Sequence, residues 1–207
     1  MAFPQFARKH DHEEFITPAT LREWRRERGM LPDRAPESAI LLYQNGLYEA
    51  AIGIERALSI GTAGALQPGL APGEVVLCTG AVRDEGVSHH YAPSDREAVP
   101  DFALTAGLER SISAAQLPWR PGVSWTIDTP YRETAAEARH YQAAGVLCVE
   151  MEAAALFTVA SYRRIPLASA FCISDSLADA EWSPQFDHPD LAHNLLALYG
   201  AAVDALM

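Results

Sequence analysis

Three carboxylates stand where this chain could do chemistry. Glu150 and Glu152 follow the apolar run Val146 to Val149, and Asp175 follows the apolar run Leu167 to Ile173. A carboxylate accepts two hydrogen bonds at once, which suits a pair of vicinal hydroxyls. It can also act as a general acid when a leaving group needs a proton. Each residue has a plainer reading as well. Glu150 and Glu152 precede an alanine-rich stretch, where acids favour the positive end of a helix dipole. Ser174-Asp175-Ser176 is good capping material. A second candidate is Gly61-Thr62-Ala63-Gly64, whose small residues let backbone amides approach an anion, or simply make a tight turn.

The elements that must position these groups can be read from periodicity and breakers. Val146 to Val149 fits a buried strand, and Ala153 to Tyr162 a helix stopped by Pro166. Leu167 to Ile173 fits a second buried strand. That order predicts a right-handed βαβ unit with its acids at the carboxyl edge of the sheet, where α/β proteins place ligands. Upstream, Thr17 and Pro18 open a helix running through Trp24 to Gly29, and Ala39 to Tyr43 is a first strand. Gly46 to Arg56 reads as a short helix, and Ala57 to Ile60 as a strand entering the Gly61–Gly64 run. Glu74 to Val82 is a long strand, Ser94 to Gln116 a helical stretch, and Gly122 to Ile127 another strand. Thr134 to Ala144 is a helix ended by Gly145, and Asp190 to Leu206 closes the chain as an amphipathic helix. Alternating strands and helices predict an α/β fold, a mixed central β-sheet surrounded by helices, in a single domain over residues 1–207.

Composition narrows the function. With 207 residues, 49% of them hydrophobic and 21% charged, the chain is globular and can bury a substantial core. A net charge of −11 argues against nucleic-acid or anionic-membrane partners. Cys78, Cys148 and Cys172 lie inside apolar runs without zinc-site spacing, as expected of reduced core thiols; no metal site is apparent. No run has the length of a membrane span and no secretory signal is evident, so a cytoplasmic protein is expected. The basic cluster Arg22, Arg25, Arg26 and Arg28 is either a phosphate site or a solvated helix face.

Four blocks carry a family resemblance: VEMEAAALF at Val149 to Phe157, ISDS at Ile173 to Ser176, the stretch Ser59 to Pro93, and the stretch Thr126 to Gly145. Together they resemble the nucleoside phosphorylase superfamily, which includes purine nucleoside phosphorylases, uridine phosphorylases and related nucleosidases. The likeness runs from Ala57 to the C-terminus, leaving residues 1–56 divergent and shortened. It implies that Glu152 binds ribose hydroxyls, that Met151 packs on the sugar and that Glu150 supports them nearby. It further implies that Gly61 and Thr62 hold phosphate, and that Ala63, Gly64, Tyr131 and Arg132 lie around the base, with Glu133 beside them. Asp175 would protonate or hydrogen-bond the base, which leans toward purines. Arg83 to Pro93, with His89 and His90 either in the site or on a surface turn, is more similar to uridine phosphorylases, so the base stays open.

Two departures concern phosphate. Ser59 stands where many relatives carry an arginine, and Glu49 to Arg56 fills the place of a glycine-rich phosphate loop. Arg56 is either a substitute donor or an exposed helix end. Three readings follow from the resemblance: phosphorolysis of a ribonucleoside with inorganic phosphate as co-substrate, hydrolysis by water, or nucleoside binding without turnover. None needs an organic cofactor. Relatives assemble as dimers or hexamers, so a homo-oligomer is expected, with His10, His12 or the Arg22–Arg28 cluster available to a neighbouring subunit.

Overall fold

The computed structural model describes residues 54–179 and 182–207, the backbone of Ser38–Leu41 and, before it, residues 23, 26, 27 and 29. The expected helix from Thr17 lies outside the described residues except at those four positions. The expected helix over residues 46–53, together with His10, His12, Arg22, Arg25 and Arg28, also lies outside them.

The described strands are β1 (Ser38–Leu41), β2 (Arg56–Ala65), β3 (Val75–Asp84), β4 (Trp119–Ile127), β5 (Cys148–Glu150), β6 (Leu167–Ser176) and β7 (Ser183–Pro184). The helices are α1 (Phe102–Ala114), α2 (Ala135–Ala143), α3 (Ala153–Arg163) and α4 (Pro189–Leu206). The strands form one mixed sheet in the order β1-β2-β5-β4-β3-β6-β7, and β2 also pairs with β6. That extra pairing closes β2, β5, β4, β3 and β6 into a ring. β2 makes the closure possible because it is long: it runs parallel to β6 from Ala57 to Ala65 and turns its far end onto β5 at Gly64 and Ala65.

The mixed sheet with helices around it agrees with the sequence reading, but the βαβ unit does not. β5 is parallel to β4 and antiparallel to β2, whereas β6 is parallel to β2. Helix α3 therefore joins two strands of opposite sense that are not neighbours. Local pattern identifies the strands and the helix between them; which strand each one pairs with is a non-local matter. Other boundaries shift for identifiable reasons. The helical stretch expected from Ser94 begins only at Phe102, because Pro100 disfavours helix before it and the Asp101 carboxylate caps α1 by accepting the Leu104 amide at 2.8 Å. Arg56 is the first residue of β2 rather than an exposed helix end, and its guanidinium donates to the Leu206 carbonyl at 2.8 Å. Gly61 to Gly64 continue β2 and make no turn.

Both faces of the strands are covered, which explains why the sequence shows continuous apolar runs instead of alternation. Along β3, Val76 and Cys78 pack toward α3 with Phe157, while Val75 and Leu77 pack toward α1 and α4 with Leu108 and Leu198. Along β6, Phe171 and Ile173 share the first cluster and Ala170 and Cys172 the second. A third cluster seats Trp125 and Val149 against Ala138 of α2. Helix α2 starts at the expected Thr134 cap, which forms a capping box with Glu137, and ends before Gly145 at φ +81°. Helix α3 ends on Arg164 in the left-handed region, two residues before Pro166, to which the sequence assigned the stop.

The β2–β3 connection is pinned to the start of α4. Gly73 has φ +77°, and a Cβ there would sit 2.6 Å from the Asp190 carbonyl oxygen. Gly73→Ala is expected to destabilise the fold by at least about 2 kcal/mol, combining left-handed strain with a clash against backbone. Urea unfolding of the purified variant measures it; an unchanged midpoint would count against this packing.

Candidate active site

A cavity of about 820 Å³ opens where the strand ends converge. Gly61, Thr62, Ala63 and Gly64 of β2 line one wall. Glu150, Met151 and Glu152, at the turn from β5 into α3, line the second, and Asp175 near the end of β6 the third. Tyr131 stands at the mouth, fully exposed. Arg132 is exposed and does not line the cavity. The three carboxylates share one cleft, although the topology that brings them there is barrel closure and not the expected crossover.

A register shift in the β2–β6 ladder sets the third wall. Ala63 pairs with Ile173, but Gly64 pairs with Asp175, so Ser174 is the extra residue. Such bulges re-aim side chains beside functional sites. Here the carboxylate of Asp175 comes to lie over Gly64, where a Cβ would sit 3.1 Å from Asp175 Oδ2 and 2.9 Å from Leu177 Cδ1. A side chain at position 64 would force the Leu177, Asp175 and Val149 side chains to shift. Ser174 donates to Asp175 Oδ1 at 2.7 Å, and the Trp182 indole donates to Oδ2 at 2.9 Å.

On the second wall Glu150 is 4% exposed and saturated. Its Oε2 accepts the amides of Glu152 at 2.8 Å and Ala153 at 2.7 Å. Its Oε1 accepts the Ser124 hydroxyl at 3.0 Å and, in a short contact, the Thr126 hydroxyl. Thr126 Oγ1 in turn accepts the Ala154 amide at 2.9 Å. Burial pushes the Glu150 carboxyl up to about 7, against the stabilising bonds from Thr126, Ala153 and Glu152. Glu152 is half-buried and also raised by burial, opposed by a hydrogen bond from the Met151 amide. Glu133 lines the cavity too; burial raises it, and the Asp175 charge adds to that.

A titration consequence follows for Glu150. Because its folded value lies above the ordinary 4.5, its contribution to stability is complete below about 4.5 and is lost as pH rises through about 7. Wild type is therefore expected to lose on the order of 3 kcal/mol relative to Glu150→Gln between those limits. Denaturant unfolding of both proteins at matched pH values measures the difference. Parallel pH profiles would show that Glu150 does not titrate in this window.

Several cavity residues carry no signal in the sequence pattern. Trp182 and Phe186 sit in a polar connection between β6 and α4, and Ser174 looked like a cap. In the reverse direction, His89 and His90 leave the site. His89 is buried between Ser94 Oγ at 3.3 Å and the Arg83 carbonyl at 3.4 Å, His90 is exposed, and only Val87 of that loop reaches the cavity. Arg83 holds the same loop by donating to the carbonyls of Ala92, Pro93 and Arg96 and to Ser88 Oγ. Among the described residues, the charged lining is four carboxylates (Glu133, Glu150, Glu152 and Asp175) and one guanidinium, Arg163. On the β2 wall, Ser59 lines the cavity, and no described strand pairs with the outer edge of β2 between Ile60 and Ala63.

Residues 29–204 match the model of the phosphorylase superfamily, and the chain belongs to that superfamily. It is 36% identical over 125 residues to a uridine phosphorylase of Treponema pallidum, covering 55% of this chain and 48% of that protein. It is 32% identical over 124 residues to a guanosine phosphorylase of Halorubrum lacusprofundi, covering 60% and 51%. It is 30% identical over 139 residues to a purine nucleoside phosphorylase of Plasmodium vivax, covering 66% and 54%. The chain spans about half the length of these curated relatives. Among solved structures, a P. knowlesi homologue of P. falciparum PNP superposes with a TM-score of 0.72 at 19% identity, over 98% of this chain and 99% of that one. An AMP nucleosidase from Bacteroides thetaiotaomicron superposes with a TM-score of 0.62 at 22% identity, over 78% and 63%. Both likenesses concern the fold. Among the described residues no helix is long and apolar enough to cross a membrane.

Proposed function

We propose that the cavity binds a ribonucleoside and that the chain cleaves its N-glycosidic bond, with inorganic phosphate as the nucleophile. The observation that carries this reading is the convergence of Glu152, Met151, Asp175 and the Gly61–Gly64 strand on one cavity in a chain of the phosphorylase superfamily. In this reading the Glu152 carboxylate accepts the two ribose hydroxyls, and Met151 lies against the sugar. Bond cleavage builds positive charge on the sugar and negative charge on the departing base, so nearby carboxylates favour the first and a proton donor the second. Asp175 would serve the base. As a donor it must first take a proton, and each of its oxygens, now accepting one bond, retains a lone pair that can carry it. Tyr131 would stack on the base. Gly61 and Thr62 would meet phosphate along the edge of β2, with Ala63 and Gly64 beside the base. No organic cofactor enters.

Hydrolysis is the second reading, and the carboxylate-rich lining favours it. Water as nucleophile needs a carboxylate base, whereas each of these acids that is ionised repels a phosphate dianion. The relatives act on uridine, guanosine and purine nucleosides by name, so the base is left to experiment. A nucleoside panel assayed for base release with and without phosphate tests the proposal. Ribose 1-phosphate identifies phosphorolysis and free ribose identifies hydrolysis; no release from any nucleoside sinks both.

We further propose that the chain works as a homo-oligomer, a dimer or a hexamer, in the cytoplasm, where the buried free thiols Cys78, Cys148 and Cys172 would stay reduced. Light scattering at micromolar concentration is expected to give at least a dimer, and a monomeric mass would refute the assembly.

A further inference from the structure

Helix α3 begins in an unusual way. Glu152 occupies its N-cap position, yet the Glu152 side chain makes no capping bond. The first amides of a helix have no partner within it, and the N-cap side chain ordinarily supplies one. Here Thr126 of β4 takes the amide that an N-cap side chain would reach, and Glu150 takes the two amides before it. Glu150 Oε2 takes the Glu152 and Ala153 amides at 2.8 and 2.7 Å, and Thr126 Oγ1 takes the Ala154 amide at 2.9 Å. Ser124 and Thr126 of β4 close the other side of the carboxylate, so Glu150 ties the adjacent strand, its own strand and the helix start into one unit.

We propose that Glu150 is a positioning residue that, together with the Thr126 hydroxyl it holds, caps α3 in place of Glu152 and thereby leaves the Glu152 carboxylate, which accepts the Met151 amide, to face the ligand. Without Glu150, the open amides at the helix start draw the Glu152 carboxylate onto its own helix, where an anion is favoured, and the hydroxyl-binding group leaves the cavity. Glutamine at position 150 can preserve the arrangement, because its carbonyl oxygen accepts the same two amides and its amino group faces hydroxyls that can accept. The inference rests on the sugar-binding reading of Glu152, and its test has one arm that does not.

The first arm is a double-mutant cycle read by thermal melting. Glu152→Ala alone is expected to shift the Tm by less than about 1 °C. In a Glu150→Ala background it is expected to lower the Tm by a further 2–4 °C or about that, the size of one lost cap in a chain of this length. A Glu150→Gln background should show no such coupling. Should Glu150→Ala fail to fold, Thr126→Val, which removes only the hydroxyl, replaces it in the same cycle. Additive melting shifts overturn the proposal. The second arm measures binding of a ribonucleoside and its 2′,3′-dideoxy counterpart by calorimetry. The preference for the ribonucleoside is expected to fall at least about 10-fold in Glu150→Ala and to stay within about 2-fold of wild type in Glu150→Gln. An unchanged preference in Glu150→Ala also overturns it. If wild type binds no nucleoside at all, the sugar-binding reading fails, and the melting cycle alone decides whether Glu150 displaces Glu152 from the cap.

Discussion

Replacing Glu152 with alanine is expected to lower kcat/KM for ribonucleoside cleavage by about 30-fold or more, equivalent to about 2 kcal/mol of transition-state stabilisation. The estimate takes the scale for a lost hydrogen bond to a charged group and applies it once, although a carboxylate holding two vicinal hydroxyls makes two such bonds. The half-buried position strengthens the case, since burial already raises the Glu152 carboxyl and a partly desolvated acceptor gains more from a well-placed donor. Stability should hardly change, because Glu150 and Thr126 carry the helix start by themselves. Steady-state kinetics on the folded variant measure it. Undiminished base release would remove Glu152 from the reaction.

Phosphate-dependent turnover by this chain is expected to lie at least about 100-fold below the common enzyme range near 10 s⁻¹. Phosphorolysis needs a dianion held against the sugar, and proteins hold it with backbone amides and arginines. The described cavity offers the edge of β2 at Gly61 and Thr62, but Ser59 stands on the same wall with a hydroxyl in place of a cation. Arg56 does not compensate, because its guanidinium is turned to the Leu206 carbonyl at the end of α4. Carboxyl groups outnumber the single guanidinium of Arg163 four to one in the described lining, and those of them that are ionised oppose a dianion. Loss of one preorganised donor alone lowers rates by about 10²–10³. Measuring turnover against phosphate concentration decides it: saturable release near 10 s⁻¹ would show that the phosphate donors lie elsewhere in the assembly.

The sequence by itself determined the parts whose causes are local. Thr134 and Glu137 specify the start of α2, and Gly145 its end, because a capping box and a left-handed glycine act within a few residues. The apolar runs of β3 and β6 announced buried strands, and the motif around Glu150, Glu152 and Asp175 marked the family and the residues that share a cavity. Tertiary structure decided how the strands pair. A run such as Cys148–Glu150 is equally apolar beside any neighbour, and only closure of the ring through β2 set its partners and the sense of β6. It also decided what each acid does. Glu150 and Glu152 are two positions apart and look alike in sequence, yet one is locked by four donors and the other faces the cavity. The donors on Glu150 come from β4, 24 and 26 residues away, as well as from α3. Likewise Trp182 reaches Asp175 only because β6 and the connection after it fold back over Gly64. Hydrogen bonds between distant segments have no signature in local periodicity, because the energy that selects them exists only once the chain has closed around them.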